Sequence, residues 1–171
     1  FILINLEKYS IKFELKRMDE IDKKILEELQ KNASIPLSEL SKKVGLSNTP
    51  CWNRIKKLEE EKVILSRTVV LDNKKINLPI TVFLSISIHD HTEKWLSNFE
   101  RVVKKYDEIT EVHRLTGTNS DYQITILSPS IDEYDNFQQK LIKEIECTYM
   151  SSHISLQIIK KNHKLSLDYL N

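Results

Sequence analysis

Residues 44–64 read VGLSNTPCWNRIKKLEEEKVI, and their punctuation decides how the first third of the chain folds. Gly45 is one of only two glycines in 171 residues, and it stands where a left-handed residue would end a helix. Leu46 returns an apolar side chain to a core, and Ser47 is placed to cap the next helix. Pro50 falls in that helix's first turn, where a missing N–H costs nothing. Cys51, Ile55 and Leu58 then recur at helical spacing as a buried stripe. Upstream, Leu37, Leu40 and Val44 predict a short helix after Pro36. Ile21, Ile25, Leu26 and Leu29 stripe a first helix that Asp19 caps and that stops near Asn32. Two helices joined by a glycine-containing turn, behind a supporting helix, are the helix-turn-helix arrangement.

The outer face of the third helix carries the chemistry. Thr49, Asn53, Lys56 and Lys57 lie opposite the buried stripe, with Trp52 and Arg54 on its flanks. Lysine and arginine can contact phosphates or guanine, and asparagine can read adenine. Lys42, Lys43, Arg54, Lys56 and Lys57 form a patch with no acid among them, while acids collect at Asp19–Asp22 and Glu59–Glu61. A formal net charge of +1 excludes a uniformly basic coat for nucleic acid but not a local basic face. Double-stranded DNA is the partner this face predicts.

After Glu61, VILSRTVVLD is β-branched and reads as a strand pair or wing, and NKKINLP (73–79) reads as a boundary. The second half changes period. Ile80, Val82, Leu84, Ile86 and Ile88 alternate as a half-buried strand. Trp95, Phe99, Val102 or Val103, and Tyr106 then repeat at helical spacing. Strands follow around 109–116 and 122–127, and Ser130 with Glu133 opens a helix bearing Tyr134, Phe137, Leu141 and Ile145. Ile154, Leu156 and Ile158 alternate as a last strand. The fold class is therefore α+β: an N-terminal winged helix-turn-helix domain and a C-terminal ferredoxin-like βαββαβ sandwich domain. The expected divisions are an extension over 1–17, the helix-turn-helix over 18–65, a strand or linker over 66–79, and the α/β domain over 80–171. Residues 163–170 either add a strand or pack on a partner. In the leader, Tyr9, Ile11, Phe13 and Leu15 alternate as in a strand, while Ile2, Leu6, Tyr9 and Phe13 also fit a helix.

Other classes are poorly served. No apolar run approaches a membrane span, and the opening residues lack the features of a signal peptide. Two cysteines far apart argue for a reducing cytoplasm. His89 and His91 are the only close histidine pair, too few for a metal site, and no cofactor is expected. An enzyme would need cooperating groups, yet the adjacent His113 and Arg114 sit on a strand where they point to opposite faces. Cys51 belongs to the buried stripe as a packing residue.

Two further features bear on function. The turn at 116–121 offers Gly117, with unshielded backbone N–H groups for a carboxylate, and Asp121, with a charge for an ammonium. Thr116 and Asn119 add neutral hydrogen-bonding groups, so an amino-acid-like effector fits; a simple hairpin turn with a capping aspartate is the alternative. The face of the sheet bearing Thr81, Phe83 and Ser85 is too apolar to stay wholly bare, which predicts a two-fold homodimer.

The motif at 44–64 closely resembles the helix-turn-helix of the Lrp/AsnC family of leucine-responsive and asparagine-responsive regulators. MDEIDKKILEELQKN (18–32) looks like that family's first helix, and TGTNSDY (116–122) resembles its turn between two central strands. The resemblance spans about residues 18–161. It implies a DNA-binding domain followed by an amino-acid-sensing domain that dimerises, often assembled into octamers. By that likeness Ser47, Asn48, Thr49, Pro50, Trp52, Asn53, Arg54 and Lys57 are candidates for the DNA surface, with Thr116, Gly117, Asn119 and Asp121 for the effector. This chain departs in reading Ser-Asn-Thr-Pro before the third helix, where Ser-Pro-Thr-Pro is commoner. Its sensing turn is one residue longer and lacks the usual aromatic. A decarboxylase-like enzyme on the same two-domain architecture is the alternative function.

Overall fold

Asp19 starts the first helix by exchanging hydrogen bonds across one turn. Its carboxylate accepts from the backbone N–H groups of Ile21 and Asp22, and the Asp22 carboxylate accepts from the backbone N–H of Asp19. That helix, α1 (Glu20–Lys31), is followed by α2 (Leu37–Val44) and α3 (Asn48–Glu60). Gly45 ends α2 at φ 74, in the left-handed region. A Cβ there would meet nothing within 4 Å, so backbone conformation and not crowding is what asks for glycine. Ser47 takes the extended N-cap conformation of α3, but its side chain makes no capping bond. Ile25, Leu26, Ile35, Leu40, Val44, Cys51, Ile55 and Leu58 close one core among the three helices.

The computed structural model describes residues 18–89, 91–117 and 120–170. The leader, residues 1–17, and Asn119 lie outside the described residues. The chain forms two units: residues through Val69 together with those from Lys161 onward, and Val70–Lys160. The second unit is thus inserted into the first in sequence.

The second unit follows the expected order: β1 (Ile80–Ser87), α4 (Glu93–Lys105), β2 (Ile109–Arg114), β3 (Tyr122–Ser128), α5 (Ile131–Glu144) and β4 (Tyr149–Ile154). The sheet is antiparallel in the order β2-β3-β1-β4. Val82, Leu84 and Ile86 of β1 pair with Ile126, Ile124 and Tyr122 of β3. One face of this register packs on Phe99 and Val102 of α4 and on Tyr134, Phe137 and Leu141 of α5. The opposite face carries Thr81, Phe83 and Ser85, with Phe83 aligned to Thr125 and His153. Thr92 caps α4 and Ser130 caps α5 through side-chain oxygens that accept from Trp95 and Glu133 N–H.

Three expectations change. Residues 63–72, read as a strand pair or wing, follow α3 without forming a strand among the described residues. The last strand lies earlier than Ile154, Leu156 and Ile158 suggested: it begins at Tyr149 and ends at Ile154, and Leu156 is 97% exposed. The closing segment belongs with the helix-turn-helix unit and not with the α/β domain, because Leu167 packs on the first core and Leu165 bonds to Gln30.

Candidate functional site

The stripe of Cys51, Ile55 and Leu58 fixes which side of α3 faces out, since each residue turns the helix by about 100°. Thr49, Asn53, Lys56 and Lys57 occupy the far side and are all exposed. Ser47 and Pro50 are exposed at the start of the helix. Trp52, 49% exposed, stands on one flank with the Lys56 ammonium 5.0 Å from its ring centre.

Two sequence candidates are engaged inside the unit instead. The Asn48 side-chain oxygen accepts from the Ser41 hydroxyl at 2.7 Å, tying the start of α3 to α2. Arg54 reaches back to the start of α1, where Nη1 lies 2.8 Å from Asp22 Oδ1 and 2.7 Å from Asp19 Oδ2. Asp22 first and then Asp19 hold the guanidinium even more firmly in its charged form. Lys43, too, is drawn from the basic patch by Glu28 at 3.0 Å and Glu39 at 3.3 Å. Lys42 and Lys57 remain exposed and, among the described residues, unpaired. Sequence reasoning missed the acid partners of Arg54 because those pairings span 32 and 35 residues. The signal in hand was the placement of acids at the edges of the patch. Burial pushes the Cys51 thiol up, away from nucleophilic character.

In the second unit the turn candidates are only partly brought together. Thr116 and Gly117 are exposed. Gly117 has no left-handed φ, and a Cβ at its position would meet nothing within 4 Å. Asp121 is heavily used: Oδ2 accepts from Ile88 N–H at 2.8 Å, and Oδ1 lies 3.3 Å from His91 Nε2. Its backbone N–H donates to Ile86 C=O and its C=O accepts from Leu115 N–H. The residue therefore locks the turn to the end of β1. His113 aligns with Gln123 on the open face while Arg114 aligns with Tyr122, which separates the one pair an enzyme reading would have needed.

Among the described residues, no group of three His, Cys, Asp or Glu could hold a metal ion. Likewise, no helix there is long and apolar enough to cross a membrane.

Comparison with known proteins bears on both units. A winged helix-turn-helix DNA-binding family matches residues 18–64, and the Lrp/AsnC ligand binding domain matches residues 81–165. The glutamate uptake regulatory protein of Zymomonas mobilis is 39% identical over 153 residues, 90% of this chain and 93% of that protein.

The chain belongs to the Lrp/AsnC family.

Solved members of the family carry the same architecture. An AsnC family transcriptional regulator from Agrobacterium tumefaciens is 42% identical, with a TM-score of 0.84 over 90% of this chain and 100% of that one. A transcriptional regulator of Neisseria meningitidis, solved as a complex with L-methionine, is 28% identical, with a TM-score of 0.83 over 90% of this chain and 99% of that one. This Lrp/AsnC protein is accordingly a DNA-binding transcription regulator that pairs a helix-turn-helix with a ligand-binding domain.

Proposed function

We propose that the outer face of α3 enters the DNA major groove, that the protein acts as a homodimer, and that an amino-acid-like effector bound in the second unit modulates it. The observation that carries the DNA surface is the exposure of Thr49, Asn53, Lys56 and Lys57 directly opposite the buried stripe of a helix anchored at both flanks. Asn53 is suited to a base edge, and Lys42 and Lys57 to phosphates. Ser47, Pro50 and Trp52 border that face. Asn48 and Arg54 serve it from behind.

The dimer reading rests on apolar surface that one chain leaves bare. Leu65 and Val69 are more than 80% exposed, and Phe83 stands on the uncovered face of the sheet. Four such dimers forming an octamer is the higher order the family likeness suggests. The effector class rests on the match to the ligand-binding domain and on the L-methionine held by the Neisseria meningitidis relative. The turn from Thr116 to Asp121 is its proposed place. There Asp121 Oδ1, beside His91, is the acceptor for an ammonium, and the Gly117 backbone is the donor for a carboxylate.

Selection of bound duplexes from random sequence, repeated with each of the twenty amino acids, tests the whole reading. Enrichment of two half-sites about one helical turn apart, altered by at least one amino acid, is the expected result. Failure to enrich any duplex would remove the DNA reading. A scattering mass of a single chain at micromolar concentration would remove the dimer.

A further inference from the structure

We propose that Arg54, which its place on α3 makes a candidate DNA ligand, acts on DNA only through its grip on α1: it is a positioning residue for the recognition helix, and buried Asp22 is the fixed point it holds. This rests on the reading of α3 as the DNA-contacting helix.

A single nitrogen carries the grip. Arg54 Nη1 donates to Asp19 Oδ1 at 2.8 Å, to Asp19 Oδ2 at 2.7 Å and to Asp22 Oδ1 at 2.8 Å. The Asp22 side chain is only 5% exposed, so its charge has lost its water and depends on a nearby cation. The same carboxylate closes the N-terminal box of α1. Moving Arg54 to a phosphate would therefore strip Asp22 of its partner and loosen the start of α1 together. Half-burial of Arg54, at 31% side-chain exposure, agrees with an inward role.

The position of Arg54 on the helix gives this grip its consequence. Arg54 and Asn48 sit on opposite flanks of the Cys51, Ile55 and Leu58 stripe, six residues and about 9 Å apart along the axis. Asn48 is bonded to α2 and Arg54 to α1. An apolar stripe alone resists sliding poorly and rolling only modestly, because apolar contacts have no direction. Two directional anchors on opposite flanks stop α3 from rolling about its own axis. Where Asn53 and Lys57 point is thus set by residues that do not touch DNA.

The test is salt titration of the full-length protein on a selected duplex and on a random one. Arg54→Ala is expected to weaken binding to the selected duplex about tenfold or more, with the slope of log affinity against log salt unchanged. Lys57→Ala, a phosphate contact, loses about 0.9 in that slope. Asp22→Asn is expected to weaken binding too, although removing an acid beside a polyanion would by charge alone tighten it. Arg54→Lys, whose ammonium can serve the same three oxygens, should keep most of the parental affinity. A slope loss of about 0.9 in Arg54→Ala, no loss of affinity in that variant, or tighter binding by Asp22→Asn each overturns the proposal. If Arg54→Ala does not fold, Asp22→Asn carries the decision. A parent that binds no duplex overturns the DNA reading itself, a distinct outcome.

Discussion

The side-chain amide of Gln30 is bonded twice to the main chain of Leu165, 135 residues later: Oε1 accepts from its N–H at 2.6 Å and Nε2 donates to its C=O at 3.2 Å. A carboxamide presents one donor and one acceptor side by side, as a strand edge does, so Gln30 on α1 holds the closing segment like a short piece of sheet. Leu167, two residues on, adds its side chain to the helix-turn-helix core.

The first prediction is that this segment stabilises the DNA-binding unit. Gln30→Ala should cost about 0.5–1.5 kcal/mol, and Leu167→Ala about 1–2 kcal/mol, since it is only partly buried. Hydrogen exchange should show faster opening of α1 in a chain ending at Asn162. Unchanged protection in that shortened chain would mean the contact carries no stability.

The two glycines should respond differently. Gly45→Ala forces a Cβ into the left-handed region and should cost about 1–2 kcal/mol, although the space around it is open. Gly117→Ala faces neither strain nor a neighbour and should be close to neutral. Denaturant midpoints of the two variants decide this, and equal losses would contradict it.

Adjacent residues on β1 should separate folding from assembly. Leu84→Ala removes a fully buried side chain under both helices and should cost about 2–5 kcal/mol. Phe83→Glu, on the open face at 36% exposure, should leave the second unit folded while lowering the scattering mass toward one chain. A dimer that persists in Phe83→Glu would place the interface elsewhere.

Acid should loosen the start of α1. Asp19 is held below its usual carboxylate range chiefly by the Asp22 backbone N–H, opposed by desolvation and aided by Arg54. A lowered folded-state value means the contribution is present above about pH 4, where the unfolded carboxyl is already ionised. It is lost as pH falls through the lower, folded value. Asp19→Asn should flatten the acid limb of the unfolding profile of this unit; an unaltered limb would show that other carboxylates dominate it.

Local periodicity was enough to read α1, α2 and α3 and the βαββαβ order, because each of those elements buries one face at its own period. The edge strand β4 escaped for a physical reason. Paired on one side only, it needs few apolar residues: Met150 aligns with Ile86, and Ser152 bonds the Tyr134 hydroxyl. Leu156 and Ile158, beyond the end of β4, are apolar but bare, and surface apolar residues carry no obligation to pair. The strand pair after α3 went the same way, since residues 63–72, rich in β-branched side chains, form no strand among the described residues. In the candidate site, the exposed face of α3 was legible from helical spacing. The engagement of Asn48, Arg54 and Asp121 was not.

The sequence by itself determined the helix-turn-helix, the ferredoxin-like order and the polar face of α3, since helical and strand periods, an N-cap aspartate and a left-handed glycine act over a few residues. Only the tertiary structure decided which charges on that face are free. Arg54 looks like its neighbour Lys57 in sequence, yet a buried carboxylate 32 residues upstream claims the one, while the other is left to solvent. The cost of leaving Asp22 without water or a cation is a property of burial, and burial exists only once the helices have packed.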